Sequence, residues 1–383
     1  MRLGFPLLLA SLALPACGGS ASDLDRDCSF ATGPVTGDWV PLFGGHSYDW
    51  LYLSHRVAYL RAGVERPNDD GSFEVPLGLI GGDWSTGQFY DDYPWYRVDH
   101  TRVSTDAVQG WFGATDLLVP ARGRVDQTVT VDLAATGLPE QGRKVVVLQG
   151  LCFDTDVPLA GDYTGAYDPG LGWTVRGFGA DVRPGIATDE SLDVDLRVHF
   201  QAGPLDRSDL NEAIPFSTVK ATILYSILNV PDGDITHAEH GSSMFYATQG
   251  QSYSDTPLLP EAERRVLIDG RAGHAAAVPL LHGFDFELNA AHDPDRAGRY
   301  LRGWHARIDG FDYEPDSGRA ELLVDGWASH SSAFQEGDLE VEFRSNLSLL
   351  QLPEEAAPVR GHTTGYFEIG QPLGSRRESV DAP

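Results

Sequence analysis

Apolar and polar residues take turns along much of this chain. Leu192, Val194, Leu196, Val198 and Phe200 alternate with Asp193, Asp195, Arg197 and His199. Successive side chains of a strand point to opposite faces, so this segment predicts a strand with one face on a core and the other in water. Residues 129–133, 284–288 and 339–343 repeat the pattern. One-faced strands belong to antiparallel sheets. Residues 144–153, ending close to Cys152, are almost continuously apolar and predict a buried strand.

Turn chemistry agrees with the alternation. Gly-, Asp- and Pro-bearing turns at 68–71, 231–234, 293–296 and 314–318 each separate strand-like runs. The last joins residues 300–313 to 319–330 and predicts a hairpin. Helical periodicity is confined to residues 206–213 and 261–267, each about two turns long and suited to decorating a loop. Roughly a dozen strand-like runs at spacings of about 8–15 residues follow the rhythm of sandwiches and barrels. The expectation is an all-β, antiparallel β-sandwich of jelly-roll-like kind, either one elaborated sandwich or two stacked ones. A seam near 203–215 divides an N-terminal sandwich region (29–205) from a C-terminal one (206–352). Residues 353–383 turn polar and Pro/Gly-rich and are expected to form a partly disordered tail.

The first residues carry a different signal. Arg2 precedes an apolar and small-residue run over 3–16 that ends in Leu14, Pro15, Ala16 and Cys17. A bilayer-spanning helix needs about 20 apolar residues, so the run fits a secretory signal rather than an anchor. With Cys17 directly after the small residue, it resembles a bacterial lipoprotein signal. The resemblance implies a signal peptide over 1–16, a lipid on Cys17 and a membrane partner held through that lipid. Gly18, in place of an Asp, implies an outer-membrane lipoprotein facing the periplasm or the cell surface. Residues 17–28 would then be the lipidated Cys and a flexible tether. Asp23, Asp25 and Asp27 lack the Gly and distal Glu of a calcium loop and read as a charged linker. With Cys17 lipidated, Cys28 and Cys152 remain as an even pair in an oxidising compartment, which predicts a disulfide, two buried thiols being the alternative.

Composition narrows the function classes. Of 383 residues, 42% are hydrophobic, enough for a sizeable core. With 56 acidic against 28 basic residues the formal charge is −28, which argues against nucleic acid or an anionic lipid surface as partner. Neither lysine, Lys144 or Lys220, sits in a phosphate-loop context, and the common hydrolase, zinc-protease and dinucleotide motifs are absent from the sequence. No cofactor is expected.

Two stretches carry candidate chemistry. Asp232, Asp234, His237, Glu239 and His240 crowd one short window. Imidazole and carboxylate are zinc ligands, but on a strand His237 and Glu239 share a face while His240 points away. A polar strand edge is the first reading there and a metal site the alternative. Five of the eight tryptophans, Trp39, Trp50, Trp84, Trp95 and Trp111, fall in the first third of the chain. The densest aromatic and acidic stretch contains Asp91, Asp92, Tyr93, Trp95 and Tyr96. Flat aromatics beside carboxylates suit sugar rings, Tyr and Trp also anchor peptides, and large rings close the ends of sandwiches. The resulting expectation is a lipid-anchored envelope protein that binds a glycan or protein ligand or plays a structural role. The alternative is a secreted hydrolase using paired carboxylates or a His/Glu metal site.

Overall fold

A computed structural model describes residues 26–49, 57–81, 95–155, 173–204, 217–246, 264–288, 299–332, 339–366 and 376–381. Within them the strands are β1 (Gly33–Pro34), β2 (Trp39–Asp49), β3 (Val57–Gly63), β4 (Phe73–Gly81), β5 (Trp95–Ser104) and β6 (Gln109–Pro120). There follow β7 (Arg122–Asp132), the one-turn helix α1 (Leu133–Thr136), β8 (Arg143–Asp154), β9 (Trp173–Ala187), β10 (Ser191–Pro204), β11 (Thr218–Val230) and β12 (Asp234–Tyr246). The chain continues through β13 (Arg265–Asp269), β14 (Ala276–Leu288), β15 (Arg299–Glu314), β16 (Arg319–Ser332), β17 (Leu339–Leu352), β18 (Val359–Tyr366) and β19 (Arg376–Val380).

The strands form three antiparallel sheets, an all-β sandwich architecture. The first runs β1-β6-β11-β8-β3-β4-β19, the second β12-β17-β14-β9-β10-β7 and the third β13-β16-β15-β2-β5-β18. Every sheet draws strands from both sides of residue 205, so 29–205 and 206–352 do not build separate sheets. Residues 206–213 lie outside the described residues. Of the other helical candidate, 261–267, the described part is chiefly the start of β13.

One apolar core joins all three sheets and contains Leu60, Val146 and Ile223 of the first, Phe178 and Val194 of the second, and Tyr48, Tyr96 and Trp304 of the third. A second cluster gathers Val145, Val147 and Leu224 with Val40, Leu42, Leu280 and Leu350. The middle strands of the first sheet therefore have oil on both faces, which is why β8 and β11 read as continuous apolar runs. Fully burying such a side chain stabilises the fold by about 1.5–3 kcal/mol. A register shift at Gln149 leaves its amide free to serve two sheets: Oε1 accepts from Phe43 N at 2.9 Å and Nε2 donates to Ser226 Oγ at 2.7 Å. In β10 the alternation is realised as read: Leu192, Val194, Leu196, Val198 and Phe200 are buried. The polar positions pair with β7, Thr130 donating to Asp193, Thr128 to Asp195 and Arg197 to Asp126.

The chain entry is fastened to the body. Cys28 and Cys152 form a disulfide that closes a 124-residue separation. Around it, Arg26 pairs with Asp154 at 3.1 Å, and the Tyr59 hydroxyl donates to the Asp27 carbonyl at 2.6 Å. The described parts of residues 353–383 include two strands of the fold. β18 pairs with β5, and β19, with Arg377 and Glu378, forms a charged edge beside β4.

Candidate functional site

Trp95, Arg97 and Asp99 occupy alternate positions of β5 and so share one face, while Tyr96 and Val98 turn to the core. The third sheet continues that face across its neighbours. His305 of β15 is the register partner of Ser47 on β2, itself the partner of Arg97. One step along, Asp325, Arg307, Gly45 and Asp99 form a row over four strands. Gly45 has φ +118° and no side chain, so the guanidinium of Arg307 reaches past it to Asp99, with Nη1 3.6 Å from Oδ2.

The row is charged and buried, Arg307 being 7% and Asp325 3% exposed. Arg307 donates to Asp325 Oδ2 from Nε at 3.0 Å and from Nη2 at 2.7 Å, and Nη2 lies 3.2 Å from Asp309. His305 Nδ1 is 3.1 Å from the same Oδ2. Arg97 grips Asp99 Oδ1 at 2.9 and 2.7 Å. Burial opposes ionisation of Asp325, but the His305 hydrogen bond and charge, together with Arg307, hold its carboxyl well below the usual range. Burial likewise disfavours the Arg307 cation, but Asp325 and Asp99 outweigh it and push its pKa up.

A general acid among carboxylates needs a raised pKa, whereas that of Asp325 is lowered; Asp99 and Asp325 are each held by an arginine. Ser47, His305 and Asp325 stand in the order of nucleophile, base and orienting acid. The buried Ser47 Oγ has no hydrogen-bond partner among the described residues, so the serine–histidine bond of such a relay is not made.

The aromatic stretch divides. Trp95 is half-buried, its ring centroid 6.2 Å from that of His305. Tyr96, expected beside it at a groove, is instead 1% exposed, and its hydroxyl donates to Glu378 at 3.1 Å. The correction follows from the strand: neighbours on β5 go to opposite faces. Asp91, Asp92 and Tyr93 lie outside the described residues, as does Cys17.

The histidine window divides in the same way. On edge strand β12, His237 and Glu239 share a face, Glu239 standing 3.9 Å from Arg183. His240 faces the other side, near the Phe343 ring at 6.4 Å. His237, Glu239 and His240 are therefore not brought together as one ligand set. Among the described residues no three His, Cys, Asp or Glu side chains gather closely enough to hold a metal. His237 instead meets Ser348, its Nδ1 2.5 Å from Oγ, and His282, the rings 5.6 Å apart.

His305, Arg307 and Asp325 were not singled out by the sequence. Their only trace was polar residues at alternate positions of a clear hairpin. No protein-family model matches the chain, and no curated protein is similar to it.

Proposed function

We propose that this is a lipid-anchored bacterial envelope protein that binds a glycan on the Trp95 face of the third sheet. The observation that carries the reading is the placement of Trp95, a half-buried flat ring against His305, on the same strand face as Arg97 and Asp99. A sugar offers an apolar C–H face to such a ring and hydroxyls to Arg97, the partly exposed member of the charged groups beside it. Because those groups are already fixed by ion pairs, they hold a ligand in one orientation with little further ordering cost. The clamped carboxylates favour capture over hydrolysis.

The anchor rests on the lipoprotein-like start of the chain. Residues 18–25 separate Cys17 from Arg26, which pairs with Asp154 of the body. At about 3.3–3.6 Å per residue the tether would hold the body within roughly 30 Å of the membrane. The repulsion of an acidic body from anionic headgroups suits that arrangement.

The test is a glycan array probed with the full detergent-solubilised chain, with Trp95→Ala alongside and release of reducing ends assayed in parallel. Specific retention that falls at least tenfold in Trp95→Ala, without product release, supports the reading. Absence of retention, or equal retention by the variant, overturns the site. Mass spectrometry of an unmodified Cys17 on an intact leader overturns the anchor.

A further inference from the structure

The second sheet holds a pair of imidazoles that the glycan reading does not use. His237 lies on edge strand β12, with a partly exposed side chain, and His282 lies on β14 two strands away. Their approach depends on a local irregularity. The pairing of β14 with β17 shifts between Leu281 and Gly283, which makes His282 the extra residue of a bulge. Leu280, two residues earlier, pairs with Ser348, and Ser348 pairs with His237. His282 therefore lands beside the His237–Ser348 row although it belongs to no rung of the ladder.

Each ring is oriented by one nitrogen. His237 Nδ1 is engaged by Ser348 Oγ at 2.5 Å. His282 donates to the backbone carbonyl of Val146, while its Nε2 has no hydrogen-bond partner among the described residues. His282 is only 4% exposed, so that nitrogen is a lone pair held out of water with nothing among the described residues to satisfy it. A histidine fixed through Nδ1 by a carbonyl or hydroxyl, with Nε2 left as a lone pair, is the arrangement that metal-ligating histidines adopt.

The spacing suits a shared ion. A zinc–nitrogen bond of about 2.0–2.1 Å, with roughly 1.1 Å more to the ring centre, puts each centroid about 3.2 Å from the metal. Two such rings span 5.6 Å when the angle at the metal is near 120°. We propose that His237 and His282 form a two-imidazole site for a borderline divalent transition metal, zinc or copper, whose remaining positions are filled by water. Glu239 is engaged toward Arg183 and His240 points to the opposite face, so neither completes the set.

The experiment uses the untagged full chain, stripped with chelator and titrated with zinc alone by calorimetry, then with copper(II) alone by electron paramagnetic resonance. One saturable zinc per chain is expected, with nitrogen hyperfine structure from two imidazoles in the copper spectrum. His237→Gln and His282→Gln should each weaken zinc at least tenfold, Ser348→Ala roughly tenfold to hundredfold, and His240→Gln not at all. Should His282→Gln fail to fold, the accessible His237→Gln decides alone. The proposal is overturned by the lack of saturable binding to the wild type, by unchanged affinity in His237→Gln, or by equal loss in His240→Gln.

Discussion

Arg307 and Asp325 meet across β15 and β16 through two hydrogen bonds, Nε at 3.0 Å and Nη2 at 2.7 Å, both to the single oxygen Oδ2. His305 Nδ1 approaches that oxygen as well. A carboxylate so placed fixes two cross-strand neighbours, and Arg307 carries the order on to Asp99. The polar face of the third sheet is thus one connected unit lying behind Trp95.

Asp325→Asn should therefore cost about 3–5 kcal/mol, because it leaves Arg307 buried beside a weakened partner. The pH dependence has a definite sign. The folded pKa of Asp325 is depressed, so its contribution is fully present above the unfolded carboxylate value of about 3.9 and is lost as pH falls through the folded value. Urea unfolding of wild type and variant should show a gap that is constant from pH 7 to 5 and closes only in stronger acid. A gap already absent at pH 5 would contradict the clamp.

Mild acid should act through histidine instead. Burial first of all lowers His46 to about 3, His100 to about 4 and His282 to about 4. Between pH 6.5 and 4 the unfolded chain takes up protons that the folded chain refuses, so these groups remove stability as pH falls. Each contributes a slope of up to about 1.4 kcal/mol per pH unit. His100 stacks edge-on to Phe73 with centroids 5.0 Å apart, so His100→Phe preserves an aromatic contact. Its stability profile should be shallower than that of wild type by about that slope, read from unfolding at pH 6.5, 5.5 and 4.5.

Reduction of Cys28–Cys152, or Cys28→Ser, should lower stability by roughly 2–5 kcal/mol, since the bridge closes a long loop in the unfolded chain. Thermal melts with and without reductant check this. An unchanged melting temperature would mean that the Arg26, Asp27 and Arg61 contacts suffice to secure the chain entry.

How far the sequence reveals this molecule depends on how local the signal is. Alternation marks β10 because its core positions from Leu192 to Phe200 are all Leu, Val or Phe. The same rule misses β18, whose inward positions include Gly361 and Gly365. A β-carbon at Gly361 would press on the His100 ring at 2.6 Å, and one at Gly365 would overlap Tyr96. The strand gives up its apolar residues to make room for its neighbour's rings and so resembles a polar tail. The Arg307–Asp325 pair is hidden for another reason. At the turn, Glu314 pairs with Arg319, and counting back from there sets Ile308 opposite Asp325. The bulge at Asp309 slips the register by one and brings Arg307 there instead, a shift with no signature in composition. His237 and His282 meet by the same kind of irregularity.

The sharpest test of the connected face is Gly45. Its φ of +118° lies outside the range that L side chains adopt readily, which by itself costs of order 1–3 kcal/mol on substitution. In addition, a β-carbon there would overlap the Ala306 carbonyl and crowd Arg307 Cβ at 2.6 Å. Gly273 separates the two effects, since it also has a positive φ, +98°, but a β-carbon on it meets nothing within 4 Å among the described residues. Gly273→Ala should thus show the conformational cost alone, whereas Gly45→Ala should exceed it by several kcal/mol and detach Arg307 from Asp99. Equal losses in the two variants, measured by urea unfolding, would show that the approach of β2 to β15 is loose enough to yield. The ion row could not then serve as a rigid floor under Trp95.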